Sequence, residues 1–210
     1  MYFLFYMEEV EVMFQTVPGV TIPFPDKILE EYQTFKGESI FANVSYEKLS
    51  ALVTDFYKAL SEPLFFVMQL PLSIYEENKM GFRKIVHQEV LYLDGQTQSQ
   101  IDTIMSSYGQ LLLSDGLSQF AIASHESHEE IFIQKYKVVS IYSRMPEKYV
   151  DLLTKYGLHE TDKLITAWNT FSRDYPGEFR RICMEGIDAY TVADILKKQG
   201  MYRAKIIEND

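Results

Sequence analysis

The sequence predicts an α+β fold: an antiparallel, meander-rich sheet with several flanking helices. It occupies residues 1–210 as a single domain, or as two tightly packed lobes over 1–72 and 85–210. Three observations predict it. Short runs rich in β-branched and aromatic residues recur between turn residues. Stretches with apolar residues at helical spacing lie between them. The strands come in runs, without the strict βαβ alternation of a parallel sheet.

The elements follow in order. Tyr2–Phe14 alternates loosely and reads as a strand, with Val10, Val12 and Phe14 on one side. VPGVTIPFPD, with three prolines and a glycine, is a loop. Its Asp26 is placed to cap a helix to Phe35, with Gly37 as the stop. After the apolar piece IFANV, Ser45 is the N-cap candidate for a helix to about Leu60, striped by Leu49, Leu52, Val53 and Phe56. Pro63 ends it, and LFFVMQL reads as a strand buried on both faces. Ser73–Met80 is a connection, and Val86–Leu93 a strand that ends at Asp94-Gly95.

Thr97 and Gln100 have capping-box spacing, so a helix starts there. That helix either runs on through Leu111 and Leu112 or stops at Gly109. The stop is preferred because Tyr108-Gly109 parallels Tyr156-Gly157, and glycine as a C-terminal stop accounts for both helix ends. Asp115-Gly116 between apolar runs is a hairpin signal, so LLLSDGLSQFAIA reads as strand, turn, strand. Ile131–Tyr142 is one long β-branched run, with Ile131 and Ile133 alternating with Phe132 and Gln134. Residues 115–143 therefore read as an antiparallel meander with HESHEE as the connection inside it. Downstream come a helix from Pro146 to about Tyr156, a short helix in Asp162–Phe171 and a turn at YPG. A strand over Phe179–Met184, a helix over Thr191–Gln199 and a strand over Tyr202–Ile207 complete the chain.

The formal net charge is −10, and from Glu178 onward six basic residues balance six acidic ones, so the whole acidic excess lies upstream. A basic patch that displaces phosphate counterions is where nucleic-acid binding begins, so nucleic acid is disfavoured as a partner. An anionic membrane surface is disfavoured by the same sign. A basic protein partner is the compatible one. Fifteen Tyr and fourteen Phe supply contact area for a core or a recognition surface. Cys183 is the only cysteine, which fits a reducing compartment, and its setting in FRRICM suits a small core residue. The apolar start lacks a basic n-region, and residues 64–72 are too short to span a bilayer. A soluble cytoplasmic protein is expected.

One stretch carries a sharp chemical possibility. IASHESHEE, residues 122–130, holds His125 and His128 with Glu126, Glu129 and Glu130. On a helix or in a tight turn the two imidazoles can converge, with Glu129 as an oxygen ligand, and that donor set suits zinc or another divalent transition metal. A metal-dependent hydrolase would follow. HESH is one residue short of HExxH, and in an extended strand positions i and i+3 face opposite ways. Strand-like AIAS and IFIQ on either side make the stretch a hairpin connection.

No GxSxG elbow, phosphate-binding glycine loop or EF-hand loop occurs. His87 and His159 are isolated and read as structural, and Trp168, the only tryptophan, as a partly buried anchor. The function these features favour is a non-enzymatic binding module without a cofactor, recognising a basic protein. Small acidic immunity proteins that neutralise bacterial toxins share this general profile, a likeness of class carried by no motif.

Overall fold

A computed structural model describes residues 14–35 and 38–208. The first half of the chain forms β1 (Val20–Thr21), β2 (Glu31–Phe35), β3 (Ser39–Ala42), α1 (Tyr46–Lys58), β4 (Leu64–Pro71), α2 (Ile74–Lys79), β5 (His87–Gln96) and α3 (Gln98–Ser114). The second half adds β6 (Gln119–Ser124), β7 (Glu129–Ile133), β8 (Val139–Tyr142), α4 (Val150–Lys155) and β9 (His159–Glu160). It ends with α5 (Ala167–Thr170), β10 (Glu178–Phe179), α6 (Ala189–Lys197) and β11 (Tyr202–Glu208).

Nine strands make one sheet in the order β11-β5-β4-β6-β7-β8-β3-β2-β9. The expected α+β class holds, and antiparallel strands β6-β7-β8 occupy the expected meander. The run Ile131–Tyr142, read as one long strand, is instead two strands separated by a reversal at Gln134–Val138. The sheet is mixed, however, and not purely antiparallel: β9 runs parallel to β2, pairing Glu31 with His159 and Tyr32 with Glu160. A separate antiparallel pair joins β1 to β10. Strands from either side of residues 72–85 alternate across the large sheet, since β4 lies between β5 and β6.

The period-2 alternation of β4 divides its side chains between two environments. Phe66, Met68 and Leu70 face the main core with α1, α3 and α6, while Phe65 and Val67 lie on the other face with Val90, Ala121 and Ala123. The stripe predicted for α1 is realised, with Leu49, Leu52, Val53 and Phe56 fully buried. So is the capping box of α3, in which Thr97 and Gln100 satisfy each other's backbone N–H.

Several expectations are corrected. Asp26–Phe35 is not a helix; a 3₁₀ turn at Pro25–Lys27 leads into β2, whose Tyr32 pairs with Ala42 and is buried. Sheet pairing here overrides a local helical spacing. Gly109 does not end a helix, because α3 runs on to Ser114 and buries Leu111, Leu112 and Leu113. Asp115-Gly116 is accordingly no hairpin turn, and Asp115 is the extended C-cap of α3. Ser73–Met80 contains α2, capped by the Ser73 hydroxyl, which accepts from Glu76 N–H. The helix expected in Asp162–Phe171 shrinks to Ala167–Thr170, and the strand over Phe179–Met184 to Glu178–Phe179. The strand expected over Tyr2–Phe14 falls outside the described residues except for Phe14, as does the Gly37 stop.

Candidate functional site

The IASHESHEE stretch is the β6–β7 hairpin turn, and its hydroxyl chemistry explains the shape. Ser124 Oγ accepts from the backbone N–H of Glu126 and of Ser127, each at 3.1 Å, and donates to the Ser61 carbonyl at 2.5 Å. His128 takes φ 54° to close the turn. Ser124 pairs with Glu129, which therefore points to the same face as Ile131 and Ile133, into the main core. There its carboxylate receives Lys148 Nζ at 3.0 Å on both oxygens and the Ser143 hydroxyl at 3.2 Å. Burial pushes the Glu129 pKa up, but the Lys148 hydrogen bonds and charge outweigh it and hold the carboxyl below its usual value.

His125 goes to the other face, where its ring stacks on Phe65 with centroids 4.3 Å apart. His128 is exposed. The turn thus separates His125 from Glu129 across the sheet. Among the described residues, no group of three or more His, Cys, Asp and Glu side chains is placed to hold a metal ion. Of the other residues read from sequence, Cys183 is an exposed free thiol outside any strand, contrary to the core position expected. His87 is buried against Glu77, as a structural histidine should be, whereas His159 is exposed in β9.

A different region brings recognition chemistry together. Between β7 and β8 the chain reverses through Gln134–Val138, closed by Gln134 N–H donating to the Val138 carbonyl at 2.9 Å. Tyr136 and Lys137 both sit in the left-handed region, at φ 55° and 57°. Non-glycine residues there cost about 1–3 kcal/mol each and persist only where surrounding contacts over-determine them. The contacts are visible. Lys137 is buried, and its Nζ donates at 2.9 Å to the carbonyls of Leu112 and Ser118. The Lys135 backbone N–H donates to Gln119 Oε1 at 3.1 Å.

This conformation turns the Tyr136 ring away from Lys137 and into an aromatic cluster. Its centroid lies 4.8 Å from Trp168, 4.6 Å from Phe171 and 5.8 Å from Phe179. Trp168 is presented by α5, whose Thr166–Asn169 capping box fixes so short a helix. Phe179 is presented by β10 through its pairing with Val20. Tyr136 is buried, yet Trp168 stays 48% exposed and Phe179 43%. Their free faces open on a cleft of about 410 Å³, walled also by Ile85, Leu117 and Tyr190.

Polar groups at the cleft are few. Tyr190 is held by its hydroxyl, which donates to the Pro71 carbonyl at 2.9 Å, and the Arg181 guanidinium lies 4.4 Å from its ring centroid. Arg181 also reaches Asp188 at 3.2 Å. Lys135 and Gln88 also line the cleft. A concavity walled by aromatic and aliphatic side chains with a few charged groups is the usual make-up of a ligand or hot-spot pocket. A second depression, of about 420 Å³ between α1 and α3, is lined mainly by hydroxyls such as Ser50, Thr54, Ser99 and Thr103, and lacks an aromatic anchor exposed to a partner.

The cleft was not legible as a site in the sequence. Its walls come from segments near residues 71, 88, 117, 136, 168, 180 and 190, and only the fold joins them. The available signals were the lone tryptophan and the aromatic surplus. No helix among the described residues is long and apolar enough to cross a membrane. Comparison of the chain with known protein families, with curated proteins and with solved structures finds no match.

Proposed function

We propose that this protein acts by binding another protein, without a catalytic step, and that the cleft beside Tyr136 is its recognition surface. One observation carries the reading: a tyrosine held in a costly left-handed conformation buttresses Trp168 and Phe179, which stay about half exposed. Large aromatic side chains are ordinarily buried for their own stabilisation. Rigidly held and left open, they match the anchors that dominate interface energies. The net charge of −10 adds a long-range preference for a partner with a basic surface, because a complementary field raises the rate of encounter. The single cysteine suits action in a reducing compartment such as the cytoplasm.

The test compares tagged full-length protein with its Trp168→Ala variant as bait in a native lysate at low and raised salt. The expected result is one stoichiometric partner that is basic, weakened by salt and lost with Trp168→Ala. A partner retained at full strength by Trp168→Ala would remove the cleft from the reading.

A further inference from the structure

The cleft has a charge character opposite to that of the chain. Among the described residues that line it, Lys135 and Arg181 are charged and no carboxylate occurs, although the protein carries ten more acidic than basic residues. Arg181 is partly neutralised by Asp188. Lys135 is half-buried, and among the described residues its ammonium forms no ion pair or hydrogen bond. A lysine without an anionic partner at a cleft with an aromatic wall is available to an incoming anion, which would gain a charge-assisted hydrogen bond there. The same wall rejects a strongly hydrated anion such as free phosphate. The lining therefore asks for an anionic group carried on an apolar or aromatic body.

We infer that the cleft takes the free C-terminus of the partner chain, with the terminal carboxylate against Lys135 and Arg181 and an apolar last side chain against Tyr136, Trp168 and Phe179. This rests on the reading of the cleft as a protein-binding surface. Charge complementarity selects the occupant: the chain end is the carboxylate that every protein partner carries, even one with a basic surface. The volume of about 410 Å³ falls within the roughly 300–1,000 Å³ of pockets that enclose a small ligand or a terminal residue or two. Capture of a C-terminal carboxylate is one of the recurring modes of peptide recognition.

Trp168 is the only tryptophan and lines the cleft, so its emission reports occupancy directly. Full-length protein is titrated with three N-acetylated tetrapeptides: one ending in Phe with a free carboxylate, one ending in Phe amide, and one ending in Ser with a free carboxylate. A fourth arm uses 3-phenylpropionate. The expected result is a saturable change in Trp168 emission with the Phe acid, and binding about tenfold weaker or worse for the amide, the size of one lost charge-assisted hydrogen bond. Lys135→Met should erase most of the difference between acid and amide. Lys205→Met, on the edge strand β11, should leave it intact. Equal binding of acid and amide would overturn the carboxylate assignment while leaving a protein-binding cleft standing. 3-Phenylpropionate binding as tightly as the peptide acid would overturn the chain-end assignment in favour of a small-molecule pocket. No saturable change with any probe, together with a partner that still depends on Trp168 in the bait experiment, would overturn the inference alone. Loss of both would overturn the reading beneath it.

Discussion

The Gly19 carbonyl occupies the space in which a side chain on Gly116 would begin, so the two backbones touch with nothing between them. Three segments meet at this point. Gly19 N–H donates to the Ser114 carbonyl at 2.8 Å, Gly116 N–H to the Arg180 carbonyl at 3.0 Å, and Arg180 N–H to the Gly19 carbonyl at 2.8 Å. Asp115 completes the junction, accepting from Ser118 N–H at 2.7 Å and from Ile182 N–H at 2.8 Å. The end of α3 is thereby tied to the segment that carries Phe179 and Arg181 into the cleft.

Gly116→Ala is expected to destabilise the protein by at least about 2 kcal/mol, because the obstacle is backbone and cannot swing aside. It should also weaken whatever the cleft binds, since Phe179 and Arg181 depend on the junction. Gly95→Ala is the control. Gly95 has φ 68° but open space around it, so only the backbone term of about 1 kcal/mol applies. Urea denaturation of the two variants beside wild type gives the comparison, and similar losses for both would refute the close-contact account.

That junction also shows where sequence reading stops. The α1 stripe, the Thr97–Gln100 box and the turn at Ser124–Glu129 follow from local periodicity and capping, and the structure has them. The meander read over 115–143 is there from Gln119 on, without its Asp115-Gly116 turn and with a second reversal at Gln134–Val138. Tyr156-Gly157 does end a helix, with Gly157 at φ 79°. Tyr108-Gly109 looks the same in sequence and does not. A glycine inside a helix costs about 1 kcal/mol, and burying the three leucines that follow outweighs it. Glu31–Phe35 became a strand because it pairs with Ser39–Ala42, which follows after three residues, and that pairing outweighs the helical spacing within it. The cleft was harder still, because strain at Tyr136 and the convergence of seven segments have no local signature.

Glu77 is fully buried, and its carboxylate is the anchor of α2. It accepts the backbone N–H of Val86 at 2.8 Å and of His87 at 2.6 Å, and meets His87 Nδ1 at 2.8 Å. Burial works to raise its pKa, but these hydrogen bonds prevail and hold it below the ordinary 4.5. A carboxyl with a depressed folded-state pKa contributes stability that is complete above its unfolded value and is lost as pH falls through the folded one. Glu77→Gln should therefore lower Tm at pH 7 and flatten the loss of Tm below about pH 4.5 relative to wild type. An unchanged acid limb in thermal scans from pH 6 to 3 would count against this assignment.

Lys137 gives the opposite pH signature. Burial pushes its pKa down to about 7, with Asp115 pulling weakly upward. A neutral amine still has two N–H groups for the carbonyls of Leu112 and Ser118. Above pH 7 the unfolded chain binds a proton here that the folded chain does not, so stability rises with pH until the ordinary lysine value of about 10 is approached. From pH 7.5 to 9.5 the gain is on the order of 2 kcal/mol, below the range in which raised tyrosine pKa values reverse the trend. Lys137→Met should abolish this slope, although it leaves two carbonyls without their donor. Parallel slopes for wild type and variant in urea titrations would show that Lys137 is charged in the fold.

The hairpin histidines supply the last expectation. A transition-metal site needs its donors free and convergent, and Glu129 is already committed to Lys148 and Ser143 on one face while His125 stacks on Phe65 on the other. Assembling a site would break a half-buried ion pair and give up a ring contact before any metal bond formed. Untagged protein should therefore contain substoichiometric zinc, manganese and iron, and EDTA should leave Tm unchanged. Lys148→Met should cost about 1–3 kcal/mol, less than the full penalty for orphaning a buried carboxylate because Lys148 is itself 40% exposed. His125→Ala should cost about 0.5–1 kcal/mol, the scale of one aromatic pair. Near-stoichiometric metal that is lost in the His125→Ala, His128→Ala double variant would mean that the turn rearranges around an ion, and the ion pair beneath it would then have to give way.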